Sequence, residues 1–361
     1  MKVAILQPEV PHYREDFFSM LRSRVGGLDV YIYNSVDFAK KKGFNVKEDD
    51  NIIYINNKNL GGFLCYSIRK LFKKKYDTLV LMLHFAHLTT WLLLFTKWIH
   101  GKKIILWGQG ISVKRYLLEE KKPDWKLKLM IKFSDGVWLY TEKERNQWEK
   151  IFPDKKIVAL CNTFTGVDEI LSYRSLETKD ELKNKYNIKE PVVFIYCARF
   201  ESDYRRVDLL MDTIKSLDSN KYAFIIIGDG KNKPDFSEFK NVYDFGAVYD
   251  TVKKQELFTM SDIYYQPGWV GLSIVEAMAY GKPILTFKRS EQVFQCVEYS
   301  YLTENYNSII VDSIEELINK IQSLSTNEIE RLGNNARQYV HDKLTMSNMV
   351  DNAFFVLRDK E

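Results

Sequence analysis

Residues 267–283 read PGWVGLSIVEAMAYGKP. The pattern predicts the end of a strand, a glycine-rich loop, a short helix that starts near Leu272, and a helix stop at Gly281 before the next strand. The N–H groups at the start of such a helix, with its positive dipole end, suit a phosphate. Glu276 lies past the first helical residues, where its carboxylate can accept two hydrogen bonds from a ribose diol. The alternative is a solvated surface glutamate.

Short apolar runs and amphipathic segments alternate along the rest of the chain, as they do in parallel sheets with crossover helices. The strands predicted in the first half are 3–7, 30–33, 52–55, 78–83, 103–107, 136–140 and 156–160. Those predicted in the second half are 192–197, 223–227, 242–245, 263–265, 283–286 and 308–311. A polar stretch separates the two sets at 163–190. The sequence therefore predicts an α/β protein with two doubly wound, Rossmann-like domains, whose ligands bind beyond the carboxyl ends of the strands.

Composition excludes several classes of protein. The 361 residues are 45% hydrophobic and 28% charged, which fits a folded chain and excludes a disordered one. The four cysteines lie far apart, which excludes a disulfide scaffold and a thiolate zinc finger and indicates a reducing compartment. The five histidines have no metal-binding spacing, so we expect no metal. The apolar run at the N-terminus is too short for a secretory signal.

Charge is distributed unevenly. Residues 1–160 hold 29 Lys and Arg against 17 Asp and Glu, whereas the remainder holds 24 basic and 31 acidic residues. A basic first half suits phosphorylated substrates or anionic lipid. We expect no nucleic-acid partner, because the chain has no arginine-rich tract and no RNA-binding signature.

Residues 78–96 contain no charged side chain, and two interpretations of them stay open. One is a buried strand and helix joined by a loop. The other is a helix on a membrane surface. Its apolar side would be Trp91, Leu94, Phe95 and Trp98, with Lys97, Lys102 and Lys103 nearby. The basic run Lys73-Lys74-Lys75 is then expected to help bind anionic membranes.

Two arginines and several glycines follow the strands of the second half. Arg199 follows the predicted strand 192–197, and Arg205 precedes the next helix. Two cations beside a strand end suit a diphosphate, although solvated arginines are the alternative. Gly228, in a Gly-Asp-Gly sequence, and Gly246 each follow a strand, where a ligand can approach the backbone closely; Gly-Asp-Gly is also an ordinary turn.

These residues resemble the donor domain of retaining GT-B glycosyltransferases of family 4. The resemblance is carried by 198–208, 227–230, 245–246 and 268–283, in the family's order and spacing. In the first half, only 11–14 and 106–110 resemble the family's acceptor domain. The resemblance implies two Rossmann-like domains that face each other across a cleft. It assigns 1–165 to the acceptor and 166–342 to the donor, and implies that a C-terminal helix within 343–361 packs back onto the first domain.

The resemblance also implies roles for individual residues. Arg199 and Arg205 would neutralise the donor diphosphate, and Glu276 would hold the nucleotide ribose. The other donor-binding residues would be Gly228, Gly246, Gly268, Trp269, Gly271, Leu272 and Ser273. Candidates on the acceptor side are His12, Tyr13, Arg14, His84 and Gln109, although a purely structural role of His12 in its loop stays open.

Gly268 departs from the family pattern. The family usually places a glutamate against the transferred sugar eight residues before Glu276, and here that position is Gly268. The sugar would then be held by the main chain or by Trp269. Gln109 likewise falls where many members have a histidine.

The sequence thus predicts a retaining glycosyltransferase that needs neither metal nor cofactor. Its donor would be a UDP-sugar, and its acceptor a saccharide or lipid-linked saccharide of bacterial capsule or lipopolysaccharide biosynthesis. No Asp-x-Asp motif occurs, and no enzymic nucleophile is evident. The expected location is cytoplasmic, peripheral on the inner face of the membrane. Two alternatives are a non-catalytic nucleotide-sugar-binding or partner subunit and a nucleotide-sugar epimerase.

Overall fold

The computed structural model describes residues 1–35, 52–73 and 76–358. The chain divides into unit 1, residues 1–166 with 345–361, and unit 2, residues 167–344. The first boundary, after residue 166, lies one residue after the one inferred from the sequence. The second, after residue 344, lies two residues after the inferred one. Lys74, Lys75 and the last three residues of the C-terminal segment lie outside the described residues.

Unit 1 is built on a parallel sheet of seven strands in the order β3-β2-β1-β6-β7-β8-β9. The strands of this unit are β1 Val3–Gln7, β2 Leu28–Ile32, β3 Ile52–Tyr54, β4 Asn57–Leu60, β5 Phe63–Tyr66, β6 Thr78–Met82, β7 Lys103–Gly108, β8 Gly136–Leu139 and β9 Lys156–Ala159. The strand order reverses at β1, which has β2 on one side and β6 on the other. Ligands of doubly wound sheets bind beside such a reversal.

Buried side chains on both faces explain why these strands have continuous apolar sequences. Along β1, Val3 and Ile5 belong to one hydrophobic cluster, and Ala4 and Leu6 belong to another. Successive side chains of a strand point to opposite faces, so the sheet is covered on both.

An antiparallel hairpin, β4 with β5, was missed from the sequence. Its turn is Gly61-Gly62, and both glycines have positive φ. A Gly-Gly pair is a hairpin signal, but β4 reads Asn-Lys-Asn-Leu and has no apolar alternation to support it.

Unit 2 is built on six parallel strands in the order β12-β11-β10-β13-β14-β15. Its strands are β10 Val192–Cys197, β11 Tyr222–Ile227, β12 Val242–Asp244, β13 Ile263–Tyr265, β14 Ile284–Phe287 and β15 Ser308–Val311. The order reverses at β10, between β11 and β13. The fold class predicted from the sequence, α/β with two Rossmann-like domains, is therefore confirmed.

Helices connect the strands. Those of unit 1 are α1 Glu15–Arg24, α2 Arg69–Lys73, α3 Leu88–Phe95, α4 Lys97–His100, α5 Tyr116–Glu119, α6 Trp125–Phe133, α7 Glu142–Glu149 and α15 Met346–Leu357. Those of unit 2 are α8 Val167–Ser172, α9 Lys179–Lys185, α10 Val207–Ser216, α11 Thr251–Met260, α12 Ser273–Ala279, α13 Ile314–Ser323 and α14 Thr326–Lys343. Capping fixes several starts: the Ser313 hydroxyl accepts from the Glu316 N–H, as the sequence indicates.

Helix α15, the last element of the chain, fills part of the core of unit 1. Met349, Val350 and Ala353 are fully buried there beside strands β8 and β9 and helix α1. The approach is close: a Cβ at Gly136 in β8 would lie 2.4 Å from Cγ1 of Val356. Unit 1 is therefore assembled from both ends of the chain.

The uncharged segment 78–96 divides into β6 and α3, as the first of its two interpretations predicts. Its apolar side differs from the predicted one, because Leu94 is buried and Trp91 donates from Nε1 to the Phe85 carbonyl at 2.8 Å. The exposed apolar side chains are Leu88, Leu92, Phe95, Trp98 and Ile99. Among the helices of the described residues, none has the length and hydropathy to cross a bilayer.

We expect Met349→Ala to destabilise unit 1 by about 2–4 kcal/mol, because it leaves a cavity under α15. Phe355 lies on the same helix with its side chain 49% exposed, so Phe355→Ala is the matched control and should change stability by less than about 0.5 kcal/mol. Urea unfolding followed by tryptophan fluorescence measures this, because all of the seven tryptophans except Trp269 lie in unit 1. Equal effects of the two substitutions would contradict the packing of α15.

Candidate functional site

The carboxyl edge of the unit 2 sheet brings together the loops that follow β10 and β13. These two strands are neighbours at the reversal of strand order. The loop after β13 is residues 266–272, and the chain after β10 leads through Arg199 to a 3-10 turn at Asp203–Arg205. Topology alone therefore places most of the predicted donor-binding residues at one edge.

Two buried glutamines hold the loop after β13. The side chain of Gln266 accepts from the Tyr264 hydroxyl at 2.9 Å and donates to the carbonyls of Gly268 and Trp269 at 3.1 and 2.7 Å. The amide of Gln295 accepts from the Val270 N–H at 2.7 Å. Its Nε2 donates to the Pro267 and Phe287 carbonyls. Both glutamines are fully buried, so each hydrogen bond lies in a low-dielectric setting where losing it is costly.

Gly268 is a place where no side chain fits. A Cβ there would lie 2.4 Å from the Tyr204 carbonyl oxygen and 2.9 Å from Cγ of Arg206. A glutamate, which the resembled family usually has at this position, would not fit here, because the neighbouring turn occupies the space of its side chain.

Trp269 follows with a strained backbone. Its φ is +54°, which a non-glycine residue adopts rarely, and its ring stacks on Tyr204 with centroids 4.8 Å apart. The stack and the two glutamines together stabilise this conformation. The indole is partly exposed at the edge of the site.

Arg205 is joined to the same loop. Its Nη1 donates to the Trp269 carbonyl at 3.1 Å, the carbonyl that also accepts from Gln266. Burial raises the pKa of the Cys197 and Cys296 thiols, and the charge of Arg205 partly opposes that rise. The backbone N–H groups of Gly271, Leu272 and Ser273 have no acceptor among the described residues. The Arg205 guanidinium and these three N–H groups thus lie at the same edge.

Arg199 and Arg206 are placed differently from Arg205. Arg199 follows β10 with an exposed side chain, and the contacts that join Arg205 to the loop do not include it. Arg206 has φ +54°, and its Nε donates to both carboxylate oxygens of Asp208 at 2.9 and 3.0 Å. It also donates to the Gln292 carbonyl, so its role is structural. Of the three, Arg205 is the one joined to the loop after β13, and Arg199 stays a predicted second cation at the same strand end.

Glu276 forms an ion pair that the sequence did not reveal. Its Oε1 lies 2.6 Å from Nζ of Lys254 on α11, and the two side chains are 17% and 26% exposed. Burial alone lowers the pKa of Lys254, but Glu276 outweighs it and the net pKa is raised. The lysine therefore stays charged, and it orients the carboxylate on α12. Lys254 lies 22 residues before Glu276, so no local sequence pattern indicated this pair.

The remaining predicted donor residues divide by their contacts. Gly228 has φ +145°, and a Cβ there would lie 2.1 Å from the Ala198 carbonyl oxygen, so glycine is required. The Gly228 N–H donates to the Gly246 carbonyl at 2.8 Å, which joins the ends of β11 and β12. A Cβ at Gly271 would make an ordinary contact, 3.7 Å from Sγ of Cys296. The Ser273 hydroxyl donates to Gln266 at 2.7 Å, so it can only accept from a ligand.

The thiols near this edge are not nucleophiles at neutral pH. Burial raises the pKa of both Cys197 and Cys296 to about 12. Among the described residues, no three His, Cys, Asp or Glu side chains are grouped to hold a metal ion.

At the carboxyl edge of the unit 1 sheet, Arg14 is committed to the protein. It is buried, and its guanidinium donates to the Asn162 side chain and lies 3.3 Å from the Met349 sulfur. It also lies over the rings of Tyr13, Trp107 and Tyr140 at 5.5–5.7 Å. This arrangement gives Arg14 a structural role in place of the acceptor-side contact predicted from the sequence.

The other acceptor-side candidates follow different strands of unit 1. His12 is exposed beyond β1, with its ring edge-on to that of Tyr13. His84 is exposed beyond β6, and Gln109 is partly exposed beyond β7. All three therefore lie at the carboxyl edge.

His87 and Gln7 are two further polar residues at this edge, and neither was predicted from the sequence to belong to the site. Burial and the nearby His84 lower the pKa of His87 to about 4, so its ring is neutral at neutral pH. Its Nδ1, like Nε2 of Gln7 at the end of β1, is buried without a hydrogen-bond partner in the described part of the chain. Because β1 and β6 are neighbours, both residues lie at the reversal of strand order. The position of Gln7 at the end of the first strand was the available signal.

Comparison with known proteins identifies the type of unit 2. Residues 178–339 match the model of the family described as glycosyl transferases group 1. An uncharacterised protein in the cps region of Klebsiella pneumoniae is 27% identical over 248 residues, 64% of this chain and 65% of that protein. The chain thus aligns with slightly less than two thirds of this relative.

Solved structures show the same fold. A glycosyltransferase from Rickettsia africae superposes with a TM-score of 0.66 at 14% identity, over 99% of both chains. Anabaena HepE, solved in complex with UDP and glucose, superposes with a TM-score of 0.64 at 14% identity, again over 99% of both chains. The fold is GT-B.

We expect Gly268→Ala to destabilise unit 2 by about 1–3 kcal/mol, because the added methyl group overlaps the Tyr204 carbonyl. Gly271→Ala, three residues along the same loop, is the control and should be near neutral. Calorimetric unfolding of both variants measures the difference. If both are equally stable, the loop does not pack as described.

Proposed function

We propose that this protein transfers a sugar from a nucleotide-sugar bound at the carboxyl edge of unit 2, because residues 178–339 match the model of the glycosyl transferases group 1 family. The observation that carries the proposal is the loop after β13. It presents the Gly271, Leu272 and Ser273 N–H groups and is joined by a hydrogen bond to Arg205. Helix α12 has only seven residues, so these N–H groups contribute more than its dipole does.

The proposed chemistry follows from where charge develops. The bond from the anomeric carbon to the diphosphate breaks, and the leaving oxygens gain negative charge that Arg205 and the N–H groups stabilise. The acceptor hydroxyl forms the new bond to the anomeric carbon, and its proton passes to the departing phosphate. Both thiols near the edge are protonated, so neither is the nucleophile of a covalent enzyme intermediate. Retention is proposed from the resemblance to the retaining family. Without an Asp-x-Asp motif, metal-independent transfer is the consistent proposal.

Within this site, Glu276 is the proposed ribose ligand. Its Oε1 is held by Lys254, which leaves Oε2 to accept from the ribose diol. The UDP and glucose in Anabaena HepE support a UDP-sugar as the donor. With no carboxylate at Gly268, the sugar would contact main-chain carbonyls and the Trp269 ring, and Tyr204 would back that ring.

For the acceptor, we propose a saccharide or lipid-linked saccharide of bacterial surface-polysaccharide biosynthesis, bound at the carboxyl edge of unit 1. The cps-region relative supports this class. His12, His84, His87, Gln7 and Gln109 are described residues at that edge with polar atoms for hydroxyl groups. A neutral His87 can accept or donate one hydrogen bond at its orphan nitrogen.

The closed position at Gly268 supports a second candidate, a GT-B subunit that binds the nucleotide-sugar without turnover. Incubating the protein with a panel of nucleotide-sugars and a bacterial acceptor extract separates the two. Release of nucleoside diphosphate with a glycosylated product supports the transferase. Calorimetric binding without release supports the subunit, and a new epimer of the donor would indicate an epimerase.

In that assay, we expect Arg205→Gln to lower turnover by about 30- to 1000-fold, because one charge-stabilising contact to the leaving diphosphate is lost. Lys240 in the same unit is exposed, so Lys240→Gln is a control with the same change of charge. Turnover of Arg205→Gln equal to that of the control would refute the role of Arg205.

We also propose a peripheral contact between unit 1 and an anionic membrane surface. Trp98 and Ile99 are 84% and 65% exposed, and Phe95 is 50% exposed. Lysines flank this apolar face at Lys97 and Lys102, and the first 160 residues carry an excess of basic side chains. Apolar insertion together with attraction to anionic headgroups gives reversible binding.

Phe95→Ser with Trp98→Ser should reduce sedimentation with phosphatidylglycerol vesicles by at least about tenfold, since two inserted rings are lost. Tyr249→Ser in unit 2, where the ring is 88% exposed, serves as the control. Failure of the parent protein to bind these vesicles at low salt would end the membrane proposal.

A further inference from the structure

A cavity of about 680 Å³ opens at the amino edge of the unit 1 sheet. Five lysines and two aspartates are among its lining residues: Lys97, Lys103, Lys132, Lys155, Lys156, Asp135 and Asp154. Lys103 begins β7, Lys156 begins β9, and Asp135 immediately precedes β8. Because these strands are parallel, this lysine pocket lies at the edge opposite His84 and Gln109. The acceptor site proposed above does not include it.

Two helix ends hold four of the five ammonium groups in place. Lys103 and Lys156 both donate to the Arg358 carbonyl, at 3.3 and 2.8 Å, just beyond the end of α15. Lys97 donates to the Phe133 carbonyl at 3.3 Å and Lys155 to the Lys132 carbonyl at 3.1 Å, both at the end of α6. The negative ends of helix dipoles favour cations there. These carbonyl groups orient the ammonium groups but do not neutralise their positive charge.

Carboxylates compensate the lysines only in part. Asp135 accepts from Lys97 with Oδ1 at 2.7 Å and from the Ile104 N–H with Oδ2 at 2.8 Å, so both of its oxygens are engaged. Asp154, the other acidic residue of the lining, is exposed. Burial lowers the pKa of Lys155; Asp135 opposes this shift, and Lys97 adds to it. Five ammonium groups against two carboxylates leave an excess of positive charge around one cavity.

We propose that the lysine pocket binds a phosphate-bearing anion. Lysine binds phosphate as a point charge with rotatable donors, and ammonium groups on several sides of one cavity favour a ligand with several anionic oxygens. The volume exceeds that of a single phosphate and accepts a diphosphate or a phosphorylated headgroup. A free diphosphate and a lipid headgroup share this chemistry. Lys97 lies in the pocket while the next residue, Trp98, is exposed on the apolar face, so either source can reach it.

The test uses the full chain and two probes, inorganic pyrophosphate and vesicles of phosphatidylcholine with or without phosphatidylglycerol. Lys132→Gln with Lys155→Gln removes two charges of the pocket, and Lys132→Gln alone is a milder variant, since its side chain is exposed. Lys121→Gln, an exposed lysine of the same unit, is the control. Thermal unfolding midpoints equal to that of the parent establish that the variants fold.

We expect the double substitution to weaken binding of at least one probe by tenfold or more, while Lys121→Gln changes it little. Loss of pyrophosphate binding indicates a free anion, and loss confined to phosphatidylglycerol vesicles indicates a headgroup. Arg205→Gln separates this pocket from the proposed donor site, since binding that it leaves intact but the lysine variants weaken belongs to unit 1. The proposal is overturned if neither probe binds the parent or if the lysine variants bind as the parent does.

Discussion

The hydrogen bond from Gln266 to the Trp269 carbonyl is the constraint on which the candidate site depends. The same carbonyl accepts from Arg205, so one oxygen couples the buried amide to this guanidinium. Gln266 also accepts from Ser273 at the start of α12 and from Tyr264 at the end of β13. A single side chain therefore fixes a strand end, a strained loop and a helix start relative to one another. Such preorganisation allows charge stabilisation without movement during the reaction.

The turn that carries Tyr204 imposes a second constraint on the same loop. It fills the space beside Gly268 and supports the ring of Trp269. The close approach explains why residue 268 has no side chain, and the next residue, Trp269, has a positive φ. Gly268 and the aromatic stack are thus two parts of one packing arrangement in the candidate site.

Sequence periodicity predicts the positions of most strands, but it does not predict which side chains contact one another. Strand β10 is found at 192–197 as expected, because a continuous apolar run buried on both faces has few alternatives. Pro283 was predicted to open β14, but the strand begins at Ile284, since proline cannot donate to the ladder. The hairpin β4–β5 was missed because its strands carry little apolar alternation.

The candidate site shows the same division. Arg205 and Glu276 could be located from the rule that ligands lie beyond strand ends. Gln295 could not, because it meets Val270 only after β14 has been added beside β13. Lys254 was not predicted, and the internal contacts of Arg14 were not foreseen. The partners of both residues are distant in the sequence and are decided by tertiary packing. Local pattern thus locates a site, whereas the contacts that shape it emerge from the assembled fold.

The position of α15 has a consequence for biosynthesis. Met349, Val350 and Ala353 complete the core of unit 1, yet they leave the ribosome after the whole of unit 2, residues 167–344. At a typical synthesis rate, roughly 10 to 35 seconds pass between the two parts of unit 1. During that interval the nascent N-terminal sheet exposes an apolar face to chaperones, while unit 2 has all the residues it needs to fold.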